Sequence, residues 1–145
     1  MQAELPPARV AARPPRASCL HVAADLLSSP EHAHLRPDRA ARDAVARVAR
    51  LCASLGARNQ RTLRGEEATC GEVVASMASA VDEVGADGLF VLTFSGHTVL
   101  KPGPRWCLYD GALGLERVAE GLGALPAGAR AVVVADTCYA ATLAR

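Results

Sequence analysis

Apolar positions along this chain switch between a strand-like run and a helical period, and the switching predicts the fold. Cys19-Leu20-His21-Val22-Ala23-Ala24 is a short apolar run that predicts a first strand. Ser28 to Pro37 predicts a loop, marked by Ser-Ser-Pro and Arg-Pro. Asp38 to Leu55 predicts a helix: Ala44, Val45, Val48, Leu51, Cys52 and Leu55 recur on one face, and Arg39, Arg42, Arg47 and Arg50 fill the other. Gly56 stands where a C-terminal cap belongs. Asn59 to Leu63 predicts a modest second strand. Thr69, with Glu72 three residues later, has capping-box spacing; Val73, Val74, Met77, Val81 and Val84 then form the buried stripe of a helix that ends at Gly85. Leu89 to Phe94 is apolar without alternation, as in a strand covered by helices on both faces. Trp106 to Tyr109 predicts a short strand or hairpin arm, Leu113 to Leu122 a weak helix loosened by Gly114 and Gly121, and Arg130 to Ala135 a last strand.

This order, strand and helix in alternation, implies an α/β fold with a mainly parallel sheet and right-handed crossovers. Residues 1–18 carry Pro6-Pro7 and Pro14-Pro15 among Ala and Arg, which predicts a flexible tail; the Pro pairs would break the amphipathic helix of a transit peptide. Residues 19–145 remain as one domain, since 145 residues suit one core.

Composition narrows the function classes. Net charge is +1, so no large electrostatic partner surface is indicated, and 3% aromatics leave little for base stacking; no nucleic-acid partner is expected. No apolar run approaches the ~20 residues that span a bilayer, so no membrane partner is expected. Five widely spaced cysteines without a secretory segment predict a reduced, cytoplasmic protein. There is no CxxC pair and no glycine-rich phosphate loop, so neither a metal site nor a cofactor is expected. Cys19, Cys52, Cys70 and Cys107 read as small buried hydrophobes, and His21, His32 and His34 as loop residues.

Two segments carry candidate chemistry. Leu89 to His97 is an apolar run ending in an imidazole, and Ala131 to Cys138 is one ending in a thiol. Parallel α/β sheets place their chemistry at the C-terminal ends of the strands. A thiol and an imidazole brought together there make a nucleophile with its base. The backbone N–H groups of Thr98 and Cys138 could face a developing oxyanion. Asp136, two residues before Cys138, points to the same face and would favour a cationic substrate side chain.

These residues also carry a resemblance. Phe90-Val91-Leu92-Thr93-Phe94-Ser95-Gly96-His97 resembles the histidine motif of the caspase-like cysteine peptidases, the branch with metacaspases and bacterial caspase-family proteins. Asp136-Thr137-Cys138-Tyr139-Ala140-Ala141-Thr142 resembles their cysteine motif, usually Asp-Ser-Cys-His-Ser-Gly-Thr. Arg42-Asp43-Ala44, Leu63 to Thr69, and Trp106 to Asp110 resemble family segments in the same order.

The resemblance implies a caspase-like three-layer sandwich. It implies a peptide-bond hydrolase in which Cys138 attacks and His97 handles the proton, with an acidic pocket for Arg or Lys at Asp136 and, more weakly, Asp43. Some members require calcium; no calcium site is legible here. Thr98 stands where the family has Gly, and Tyr139-Ala140-Ala141 replaces His-Ser-Gly. The family continues past this point with a small subunit that adds strands beside the cysteine strand. The resemblance therefore covers the large-subunit portion and leaves the last strand as an edge. A protein or peptide substrate is expected, with a small subunit or a homodimer through the last strand as partner. The alternative function is a non-catalytic caspase-like module that acts by protein association. An unrelated flavodoxin-like or nucleotide-binding domain is the weakest reading, because no phosphate loop is present.

Overall fold

The computed structural model describes residues 16–138. Most of the predicted tail and the tetrapeptide Tyr139-Ala140-Ala141-Thr142 lie outside the described residues. In chain order the elements are β1 (Ala17–Ala23), α1 (Ala41–Ser54), β2 (Asn59–Arg64), α2 (Cys70–Glu83), β3 (Leu89–Ser95), β4 (Thr98–Val99), β5 (Arg105–Leu108), β6 (Gly111–Gly114), α3 (Leu115–Gly123) and β7 (Arg130–Asp136). The protein is α/β. Strands β2-β1-β3-β7 form a parallel sheet in that order, and β4-β5-β6 form a small antiparallel sheet.

Most predicted elements form, with displaced ends. β1 takes in Ala17 and Ser18, assigned to the tail from sequence. The first helix starts at Ala41 rather than Asp38, because the Asp38 carboxylate accepts from the Ala40 N–H at 3.1 Å and holds a turn there. Gly56 follows its last turn at φ +91°, a conformation that only glycine adopts freely. Half of the capping box forms: Thr69 Oγ1 accepts from the Glu72 N–H at 3.1 Å, while the Glu72 carboxylate pairs with Arg61 instead of turning back. The predicted helix at Leu113 begins at Leu115. Leu113 faces Trp106 across the hairpin and is buried there, so Leu113 and Gly114 belong to β6. A single 3-10 turn, Pro30–His32, interrupts the predicted loop and buries His32, whose Nε2 donates to the Gly111 carbonyl at 3.1 Å.

Strand alternation sorts the sheet into two faces. Leu20, Val22, Phe90, Leu92, Phe94 and Val133 point one way. They meet Val73, Met77 and Val81 of α2, Val118 of α3, and Trp106, Leu108 and Leu113 of the small sheet in one continuous cluster. Phe94 and Trp106 stack with ring centroids 4.1 Å apart and planes within 4°. The opposite face presents Cys19, His21, Val91, Thr93, Ser95, Val132, Val134 and Asp136. α1 covers its β1 and β3 part through two small clusters, Cys19-Ala57-Val91 and Ala23-Ala41-Val45. The sheet thus has helices on both faces. β7 is an edge strand among the described residues, and Val132 on it is 47% exposed.

His21 corrects the loop assignment. It is a fully buried residue of β1, with Nδ1 3.1 Å from Thr93 Oγ1 and Nε2 2.8 Å from Gln60 Oε1. No helix among the described residues is long and apolar enough to cross a membrane.

Candidate active site

The parallel register delivers the two candidate residues to one edge. Ser95 and Asp136 are direct partners across β3 and β7, and His97 and Cys138 each lie two residues further on. The ladder runs on past both strands: the Ala24 N–H donates to the Ser95 carbonyl at 2.9 Å, and the Gly96 N–H donates to the Asp136 carbonyl at 3.3 Å. Glycine is required at 96. Its φ is +157°, and a Cβ there would sit 2.8 Å from the Ala24 Cβ. Only glycine lets the backbone pass that close to Ala24 on its way to His97.

Two side-chain bonds tie the post-strand segments together. The buried Ser95 hydroxyl donates to the Asp136 carboxylate at 3.1 Å, and the Thr98 and Thr137 hydroxyls meet at 2.8 Å. His97 is half-buried, and its Nε2 lies 2.7 Å from the Arg36 carbonyl oxygen. A carbonyl only accepts, so Nε2 carries the proton of the neutral ring, and Nδ1 holds the free lone pair. The loop bearing Arg36 is anchored at both ends. Asp25, buried just past β1, accepts from the Gly65 N–H at 2.8 Å and pairs with Arg42 at the start of α1. His97 and Cys138 share no hydrogen bond among the described residues.

The Thr98 backbone is oriented by the small sheet. The Cys107 N–H donates to the His97 carbonyl at 2.9 Å, which makes Thr98 and Trp106 a non-hydrogen-bonded pair. The Thr98 N–H therefore points away from β5. Thr98 itself is buried, and its extra side chain is occupied by the bond to Thr137. Cys138 lies at the end of the described residues, two past β7.

Exposure separates the five thiols. Cys138 alone is exposed. Burial pushes Cys19 up to about 12, and Cys70 and Cys107 each up to about 11. Those three stay protonated at neutral pH and are poor nucleophiles. Asp136 is exposed with one oxygen held by Ser95. Asp43 sits exposed in the first turn of α1, and no described contact joins it to His97, Asp136 or Cys138.

A cleft of about 650 Å³ adjoins Thr98 and is lined by Glu31, His32, His34, Lys101 and Arg105 among others. The larger cavity, about 780 Å³, lies at the opposite, N-terminal edge of the sheet, beside Ala17, Cys52, Ala57, Leu89 and Val91. Near it the Sγ atoms of Cys19 and Cys52 and a ring nitrogen of His21 lie within 4.8 Å of one another. Sequence reasoning missed this group because its members come from β1 and α1, 33 residues apart (52 − 19). It also missed Asp25 and Arg36. An acid directly after an apolar strand was the available signal for Asp25; a backbone carbonyl such as that of Arg36 leaves none.

No protein-family model matches the chain, and no curated protein matches it either. Among solved structures, the crystal structure of protein GSU0716 from Geobacter sulfurreducens is similar, with a TM-score of 0.75 and 26% identity. The match covers 86% of this chain and 51% of that one, so the chain spans about half the length of that protein.

Proposed function

We propose that this chain is the large-subunit portion of a caspase-like cysteine endopeptidase that cuts after Arg or Lys. The observation that carries the reading is the bond from His97 Nε2 to the Arg36 carbonyl, which leaves Nδ1 as the base at the strand edge that also bears Cys138. In this reading Nδ1 takes the Cys138 proton and the thiolate attacks the peptide carbonyl carbon. The Thr98 and Cys138 N–H groups receive the oxyanion, and His97 returns its proton to the leaving amine. Water, activated by His97, then hydrolyses the thioester and frees the thiol. Asp136 attracts the cationic side chain of the substrate. Calcium dependence stays with the family resemblance, and the compartment with the composition.

The association reading keeps support from a different observation: among the described residues His97 and Cys138 share no hydrogen bond, and β7 is an open edge with Val132 exposed. One experiment separates the two. An Arg-based peptide electrophile is added to wild type and Cys138→Ala, with and without calcium, and intact mass is read. One adduct on wild type and none on the variant is the expected result. Absence of any adduct overturns the peptidase reading and leaves association.

A further inference from the structure

Away from the site just described, the α1 face carries a second group of chemically active side chains. Cys19 and His21 are two apart on β1 and share that face, and α1 lays Cys52 over them. All three donor atoms lie within 4.8 Å of one another. Tetrahedral zinc, with Zn–S of about 2.3 Å and Zn–N of about 2.0 Å, needs its ligand atoms somewhat closer than that limit. Small side-chain rotations cover the difference. We propose that Cys19, His21 and Cys52 form a binding site for one borderline-soft divalent metal ion of the zinc type, with its fourth position open to the adjoining cavity.

The surroundings fit that ligand. Gln60 Oε1 accepts from His21 Nε2 at 2.8 Å, and the Gln60 amide nitrogen donates to the Ala57 carbonyl at 3.1 Å. The amide is thereby oriented, Nε2 is the protonated nitrogen, and the lone pair is on Nδ1. With Nδ1 as the ligand atom, the Gln60 oxygen takes the outer-shell place that a carboxylate, a backbone carbonyl or a water fills beside most metal-bound histidines. Thr93 now donates its hydroxyl to Nδ1 at 3.1 Å, and an ion taking that lone pair displaces it. Cys52 lines the cavity of about 780 Å³, which gives the ion a way in and leaves room for a water as fourth ligand. Two sulfurs and an imidazole select zinc or cobalt over calcium or magnesium. On binding, each cysteine gives its thiol proton to solvent, two per ion. Affinity therefore rises with pH.

The test uses the whole chain carrying Cys138→Ala, so that the exposed thiol of the other site does not compete. Cobalt(II) is titrated in, and the sulfur-to-cobalt charge-transfer band is read. One ion per chain with a strong band is expected, and the band is lost on adding Cys52→Ala. Gln60→Ala keeps the band and weakens binding by about 10- to 100-fold. A titration without the band, or a band that survives Cys52→Ala, overturns the proposal. A check without a change at the site itself guards against misfolding: saturating zinc must slow alkylation of Cys52 by iodoacetamide. An unchanged rate also overturns the site.

Discussion

The two faces of the central sheet are built differently. The face under α2, α3 and the small sheet is one continuous cluster rich in Leu, Val, Phe, Met and Trp. The face under α1 has two small apolar clusters, with a buried histidine, two cysteines and a threonine among them. Large apolar side chains contribute roughly 1.5–3 kcal/mol each on full burial, so most of the folding free energy belongs to the first face. The second face can then hold polar groups. Continued upward, its row of side chains passes from His21 and Thr93 to Ser95 and Asp136, the last ladder pair, two residues before His97 and Cys138. The candidate residues lie just past the end of that row, and the strongly packed face holds the strands in register beneath them.

The most damaging way to break this comparison is to open the packed face. Trp106 is fully buried and stacked on Phe94, whose neighbour Ser95 holds Asp136. Trp106→Ala is expected to cost about 3–5 kcal/mol in urea unfolding. Val45→Ala removes an equally buried side chain from the α1 face, and at about 0.8 kcal/mol per carbon it should cost about 1.5 kcal/mol. Equal losses for the two variants would mean that the faces share the load evenly.

How far each face was legible in the sequence follows the same division. The packed face announces itself through local patterns. The unbroken run Leu89 to Phe94 and the stripe Val73, Met77, Val81 are visible without any tertiary information, and both form. The ends were harder. Leu113 was read as helical, but its pairing with Trp106 overrides local propensity. The strand ends pointed to His97, Thr98, Asp136 and Cys138, and the register brings those segments to one edge. Asp43 was offered on resemblance alone and has no described contact with them. His21 was misassigned because its partners, Gln60 and Thr93, come from two other strands. Polar networks between distant segments leave no periodic trace, so this face was the less readable one.

His21 offers a smaller, pH-dependent test. Burial lowers it from its ordinary 6.5, partly offset by the bond to Gln60. A histidine with a depressed folded value binds fewer protons folded than unfolded. Stability therefore rises with pH between the folded value and 6.5, is fully present above 6.5, and declines as pH falls below it. His21→Gln removes that contribution. The difference between wild type and variant, read by urea unfolding across this window, should shrink as pH falls. A difference that stays constant would mean that His21 does not fold as a buried neutral ring.

The finest test compares two neighbours on one strand. Val132 and Val133 are adjacent on β7 and point to opposite faces. Val133 packs against the main cluster, whereas Val132 is 47% exposed on the opposite face. Threonine keeps the branched shape, so strand preference largely cancels between the two substitutions. Val133→Thr turns a hydroxyl toward apolar side chains and should cost about 1 kcal/mol, the low end for a half-buried position. Val132→Thr should change stability by less than about 0.5 kcal/mol. If Val132→Thr proves as costly as Val133→Thr, something covers Val132 in solution. Sedimentation at several protein concentrations would then tell a second copy, whose effect grows with concentration, from a segment of the same chain, whose effect does not.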